Sequence, residues 1–232
     1  MSQPGRYEYH YQDAVNGFFE LPTALARTLL PSGIQTIEIH HGRSILAVTG
    51  FEFHDSSVGA YREVALSILI PPRLMAGEPM PRAAMFPFLL GTSTAAARKH
   101  AIDVWHLPHH PVDLDIEFER QNREIKLTAA EGRDPILELT ITDPTGVPWQ
   151  KVEHHYQTFM QDEDGAYMSP LNISGRFMEN EEEQGSLILH PHAFTCALDL
   201  DEVATTPFRE QWMKDGVEVI FPLQKLAALA GR

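Results

Sequence analysis

Apolar and polar residues alternate with period two over most of this chain, and the clearest run is residues 112–119. Val112, Leu114, Ile116 and Phe118 alternate there with Asp113, Asp115, Glu117 and Glu119, which predicts a strand with one apolar and one acidic, solvated face. The same period predicts strands at residues 35–40, 44–54, 60–70, 124–130, 136–142, 151–160, 168–177, 186–190 and 216–221. Turn signals separate them, among them His41-Gly42, Glu131-Gly132-Arg133-Asp134-Pro135, Asp143-Pro144-Thr145-Gly146 and Asp164-Gly165. Helical patterns are few. Residues 21–30 start beside a proline and stop before Pro31, and residues 92–103 open on Thr92-Ser93-Thr94 ahead of three alanines. Short helical turns are expected after Leu200 and Pro222. Many strands with few helices predict a mainly β (α+β) fold, an antiparallel barrel-like sheet with a few flanking helices, in one domain spanning residues 1–232. The segment 71–87 carries five prolines and has no period; it reads equally as a lid or as a surface connection.

Composition narrows the class. A chain of 232 residues, 43% of them hydrophobic, has enough apolar side chains for a substantial core. No apolar run approaches a membrane span, and the N-terminal stretch 1–11 is polar and aromatic, without a signal-peptide core. A cytoplasmic protein with no membrane partner is the expectation. Eighteen basic against 32 acidic residues leave a net charge of −14, which argues against nucleic acid as a partner. The one cysteine, Cys196, rules out an internal disulfide, and its apolar neighbours predict a buried structural thiol. Asn172-Ile173-Ser174 matches a glycosylation sequon, but without a secretory signal it reads as chance.

The strand at 60–70 carries the first candidate chemistry. Val64, Leu66, Ile68 and Ile70 make one face; Tyr61, Glu63, Ala65, Ser67 and Leu69 make the other. A carboxylate and a phenol followed by small side chains leave room beside the strand, although Glu and Ser also suit a solvated face. The run His54-Asp55-Ser56-Ser57-Val58-Gly59-Ala60-Tyr61-Arg62-Glu63 resembles the acid-bearing strand of the acetoacetate decarboxylases. Trp105-His106-Leu107-Pro108-His109-His110 falls where that family has an aromatic residue, a proline and two lysines. Residues 18–31 resemble its N-terminal strand and helix, and His190-Pro191-His192-Ala193-Phe194 its C-terminal segment. The resemblance spans roughly residues 18–222 and is strong only at His54–Glu63.

The resemblance implies a catalytic cavity with Glu63 directed inward, where desolvation would raise its pKa into a useful range. It also implies a homo-oligomer. The departures matter more. His109 stands in place of the Schiff-base lysine and His110 in place of its neighbour. Ala101-Ile102-Asp103 replaces the expected Gly-Arg-Glu, Gln12 falls near the family's N-terminal arginine, and Thr49 replaces a second pocket glutamate. A histidine forms no stable imine, so the family's route through a cationic electron sink is closed. Lys99 and Lys126, the nearest lysines, read as surface charges.

The expected function is therefore a lyase-type enzyme acting on a small or medium oxo compound or oxo acid by His/Glu acid–base chemistry. Hydration–dehydration, tautomerisation, retro-aldol cleavage and imine-free decarboxylation all suit it. His109 and Glu63 are the expected catalytic pair, His109 titrating near neutrality. Tyr61, Trp105, His110, Phe194, His154 and Gln12 are the expected substrate contacts. The alternative is a small-molecule-binding protein that kept the cavity and lost catalysis. Twelve histidines raise the question of metal, with His106, His109 and His110 close in sequence and His154, His190 and His192 able to approach them. No compact ligand spacing such as H-E-x-x-H occurs, so neither a metal nor another cofactor is expected.

Overall fold

The structure, a computed structural model, describes residues 6–226; the first five residues of the polar N-terminal stretch lie outside it. In chain order the elements are β1 (Tyr7–Pro22), α1 (Thr23–Thr28), β2 (Glu38–His40), β3 (Arg43–Asp55), β4 (Tyr61–Ile70) and β5 (Ala83–Thr92). They continue with α2 (Ala95–Trp105), β6 (Asp115–Gln121), β7 (Glu124–Glu131), β8 (Asp134–Thr142) and β9 (Gln150–Asp162). β10 (Gly165–Asn180), β11 (Ser186–Leu189), β12 (Arg209–Ile220) and β13 (Gln224–Lys225) follow among the described residues.

The long strand β1 pairs with β12 on one side and β3 on the other, which closes β1-β12-β10-β9-β5-β4-β3 into a seven-stranded barrel. Closure leaves no free edge along these strands. Every pairing in the ring is antiparallel except β5 with β9, where Ala83–Met85 run parallel to Tyr156–Thr158. β11-β8-β7-β6 form a separate four-stranded sheet, and its apolar side shares one core with the outside of the barrel.

That second sheet explains the two faces of β4. Val64, Leu66 and Ile68 have no exposed surface and pack in the core shared with Ile116, Phe118, Ile125 and Leu127. Tyr61, Glu63, Ala65 and Ser67 are left facing the barrel interior. Each fully buried aliphatic side chain contributes about 1.5–3 kcal/mol, so the outer face anchors the strand while the inner one is free to carry polar groups. The approach of sheet to barrel is close at two glycines. A Cβ on Gly50 would lie 2.3 Å from Leu127 Cδ1, and one on Gly91 the same distance from Leu114 Cδ1.

The alternating run of the outer sheet behaves as expected: Ile116 and Phe118 are buried, whereas Asp115, Glu117 and Glu119 are exposed. Regular pairing starts only at Asp115, and Val112 stays partly exposed. Two barrel strands lack a readable period. In β5 the register slips between Leu66 and Ser67 of its partner, which pair with Leu89 and Pro87 and leave Phe88 as the extra residue. Pro87 has no N–H to give the ladder and sits at this bulge, the position a strand proline tolerates. In β1 a bulge at Gln12 reverses the parity: Tyr9 and Tyr11 turn inward before it, Ala14 and Asn16 after it.

Helix α2 begins three residues later than the alanine pattern predicts, because Thr94 is the cap that accepts the Ala97 amide at 3.2 Å. It ends where His106 adopts φ +53°. Residues 71–82 form an exposed connection held to the barrel by two 2.8 Å hydrogen bonds between the Gln157 amide and the Arg73 backbone. Cys196 is exposed rather than buried, because residues 191–200 form turns that do not alternate sides as a strand would. No helix among the described residues is long and apolar enough to cross a membrane.

Candidate active site

Helix α2 lies across one end of the barrel with Ala97, Ala101 and Trp105, one helical face, turned inward and buried. Between this face and the strands is a cavity of about 90 Å³. A second lobe of about 60 Å³ continues along the barrel, and Thr49, Phe51 and Glu218 line both. On a scale where one water needs about 10–15 Å³, the two lobes admit a small organic molecule.

The floor of the cavity is acidic without a counter-charge. Glu63 from β4 and Glu218 from β12 both line it, and neither carboxyl has a hydrogen-bond or ion-pair partner among the described residues. Desolvation raises Glu63 to about 7. Glu63 is only partly buried by area because it borders the cavity. Desolvation, with the charge of Glu63 added to it, raises Glu218 to about 8. Arg62, next to Glu63 in sequence, points to the opposite side of the strand and binds Glu52 at 2.9 and 3.0 Å, as alternation requires. No lysine or arginine lines either lobe among the described residues.

A hydrogen-bonded chain borders the same cavity. Trp105 Nε1 donates to the Tyr9 hydroxyl at 2.9 Å, and that hydroxyl is 2.7 Å from His100 Nε2. Burial lowers the pKa of His100 and, with the nearby acids, raises those of Tyr9 and Tyr61. His100 is thus neutral near pH 7, able either to accept the Tyr9 proton or to donate its own and leave the phenol free to donate into the cavity.

Comparison with solved structures adds one decisive observation. Acetoacetate decarboxylase from Legionella pneumophila superposes on 97% of this chain and 88% of its own with a TM-score of 0.68 at 14% identity. The chain has the acetoacetate decarboxylase fold. An acetoacetate decarboxylase-like enzyme from Sphingomonas wittichii RW1 matches 97% of this chain and 94% of its own, with a TM-score of 0.58 at 15% identity. The enduracididine biosynthesis enzyme MppR, solved in complex with pyruvate, matches 99% and 93%, with a TM-score of 0.63 at 10% identity. No family model and no curated protein matches the sequence.

Within this decarboxylase fold the cavity gathers Glu63, Tyr61 and Trp105, three of the residues expected from the sequence. His109 is not among its lining residues. The segment after α2 is hooked to β5 by the Leu90 amide on the Pro108 carbonyl (2.9 Å) and the His110 amide on the Leu90 carbonyl (2.8 Å). This hook leaves Leu107 at the cavity. The His109 ring faces Arg98 and Asp113 instead, and its Nδ1 donates to the His110 carbonyl at 2.8 Å. Its Nε2 is buried without a partner, and burial lowers its pKa.

The remaining expected contacts also fall elsewhere. His110 is buried with Nε2 on Glu131 at 2.8 Å, and Phe194 packs against its ring edge in the core under the outer sheet. His154 has inward parity on β9 but sits past Tyr156 at the barrel end, edge-on to Phe177 at 4.7 Å. Gln12 is the bulge residue of β1 and is exposed. Lys99 and Lys126 pair with Asp103 and Glu138, away from the cavity.

Glu218 and His100 were missed. For Glu218 the signal was misleading: flanked by Val217 and Val219, it reads as the solvated side of an amphipathic strand. For His100 a usable signal existed, since it lies three residues from Ala97 and beside Ala101 on the inward helix face.

One cluster has the donor types for a metal: His110, Glu131 and His192, whose ligand atoms lie within 4.8 Å of one another. The hydrogen bonds define it differently. His192 Nδ1 accepts the Phe194 amide at 3.0 Å, so its proton is on Nε2, which faces Glu131 at 3.5 Å. Coordination through this Nε2 needs the reverse, a free Nε2 lone pair and a donating Nδ1. The trio is a hydrogen-bonded knot that ties the His110 segment to the β7–β8 turn.

Proposed function

We propose that this chain is an enzyme that moves protons on a small oxo compound held inside the barrel, with Glu63 and Glu218 as its acid–base pair. The observation that carries this reading is the pair itself: two carboxyls without partners, raised to about 7 and about 8, around one small cavity. Two like groups in one low-dielectric space lose their protons in sequence, so near neutrality one is ionised while the other keeps its proton. The ionised carboxylate takes a proton from the carbon beside the carbonyl, and the protonated carboxyl gives one to the carbonyl oxygen. The product is an enol, with no net change in protons on the protein.

The neighbours support an oxo ligand, since they include acetoacetate decarboxylases and a protein in complex with pyruvate. An imine route has no support, because no amine lines the cavity among the described residues. The role expected of His109 passes to Glu218. Phe51 and Trp105 would form apolar walls, and the Tyr9–His100 chain would orient the carbonyl oxygen.

The test is exchange of solvent deuterium into the carbon next to the carbonyl of a small ketone, followed by NMR. Glu63→Gln and Glu218→Gln should each slow exchange roughly 10²-fold or more. Exchange that is unchanged in both variants overturns the reading. The binding-protein alternative is favoured by the missing nucleophile, and it predicts ligand binding with no exchange in the parent chain.

A further inference from the structure

We propose that the ligand of this cavity is an uncharged oxo compound with short apolar groups, and that anionic oxo acids are excluded. The inference rests on the cavity being the binding site named above, and it deepens that reading by naming the ligand class. An oxo acid needs a cation or a set of aligned donors for its carboxylate. The cavity lining offers no lysine or arginine among the described residues.

Arginines around the barrel are paired with acids, and Arg82, which also contacts Tyr156 of the second lobe, is neutralised by Glu179. Arg62 binds Glu52, Arg82 binds Glu179, Arg98 binds Asp113, and Arg120 bridges Asp13 and Glu52. An arriving anion would instead meet Glu63 and Glu218, neither of them offset by a partner, in a space where like charges repel with little screening. The rest of the wall, including Phe51, Met85, Leu90, Leu171 and Ile220, suits alkyl groups.

A neutral carbonyl meets the opposite reception. A carboxyl that keeps its proton is an O–H donor, and a carbonyl oxygen is the acceptor that satisfies it without bringing in charge. The elevated pKa values of both carboxyls keep that donor available near neutrality. These carboxyls have no partner on the protein among the described residues, and the ligand's carbonyl would supply one.

The experiment compares pyruvamide with pyruvate, two ligands of nearly equal size that differ in charge. Each is titrated into the full chain at pH 7.5, where one carboxyl is ionised and the other keeps its proton, and followed by NMR through the Trp105 indole N–H at the cavity wall. Pyruvamide should bind at least about tenfold more tightly than pyruvate. A Glu63→Gln/Glu218→Gln double variant should reduce that preference severalfold, and so should lowering the pH of the parent protein to 5.5. Equal or tighter binding of pyruvate by the parent chain overturns the proposal, as does binding of neither ligand. Deuterium exchange into the methyl group is read in the same samples. Selective binding of pyruvamide without exchange upholds the ligand class while removing catalysis, and preferred binding of pyruvate with exchange does the reverse.

Discussion

At the residue scale, the unusual groups are two glutamates that line one cavity without a partner on the protein among the described residues. A carboxyl raised from about 4.5 in the unfolded chain to about 7 or about 8 in the folded one favours folding least when ionised. Stability contributed by these groups is fully present below pH 4.5 and is lost as pH rises through 7 for Glu63 and 8 for Glu218. Glu63→Gln should therefore stabilise the protein at pH 9 by up to about 3 kcal/mol, and the gain should vanish near pH 4. Denaturant unfolding at the two pH values checks this; a gain of equal size at both would remove the buried-carboxylate explanation. Tyr9→Phe tests the chain to His100. It removes the acceptor of the Trp105 indole and the partner of His100 Nε2 while keeping the ring packed against Phe53. The expected result is deuterium exchange slowed by about tenfold with ligand affinity little changed, read from a kcat and KM split.

At the scale of elements, period two recovers the strand whose faces meet unlike surroundings and fails where both are covered. The β6 alternation is legible because one face is in water. β4 is legible because its outer face is all aliphatic and its inner face is not. β1 was legible only in part and β5 not at all: both carry bulges, and Pro87 hides a strand inside a proline-rich segment. Helix α2 shows the opposite limit, since its alanines mark a helix but only Thr94 sets its start. Thr94→Ala should cost about 1 kcal/mol through loss of that cap and loosen the end closing the cavity, seen as faster amide exchange at Ala97. Leu66→Ala on the covered face of β4 should cost about 2–5 kcal/mol, since its side chain has no exposed surface.

At the scale of the whole molecule, barrel and outer sheet share one core, so neither buries its apolar side without the other. Leu127→Ala, made in the outer sheet, should lower the unfolding midpoint of the barrel as well. Far-ultraviolet circular dichroism and the fluorescence of Trp105 and Trp212 should report a single transition. Two separated transitions would show that the sheets are energetically independent. The acidic surface has its counterpart inside, where the cavity also lacks a cation, and this shared sign underlies the ligand class proposed above.

Local alternation and turn residues, acting through contacts only a few positions away, determined that this chain is β-rich and that Glu63 lies opposite an apolar face. The resemblance carried by the His54–Glu63 run implied an inward direction for that glutamate. Which groups would meet it was decided by tertiary structure alone. Barrel closure brings Glu218 from the far end of the chain to the same cavity, and helix α2 brings His100. The backbone hook on Leu90 turns His109 away although its sequence position matched the reactive amine. Side-chain direction at bulges and loop hooks depends on long-range hydrogen bonds, and no period along the sequence carries that information.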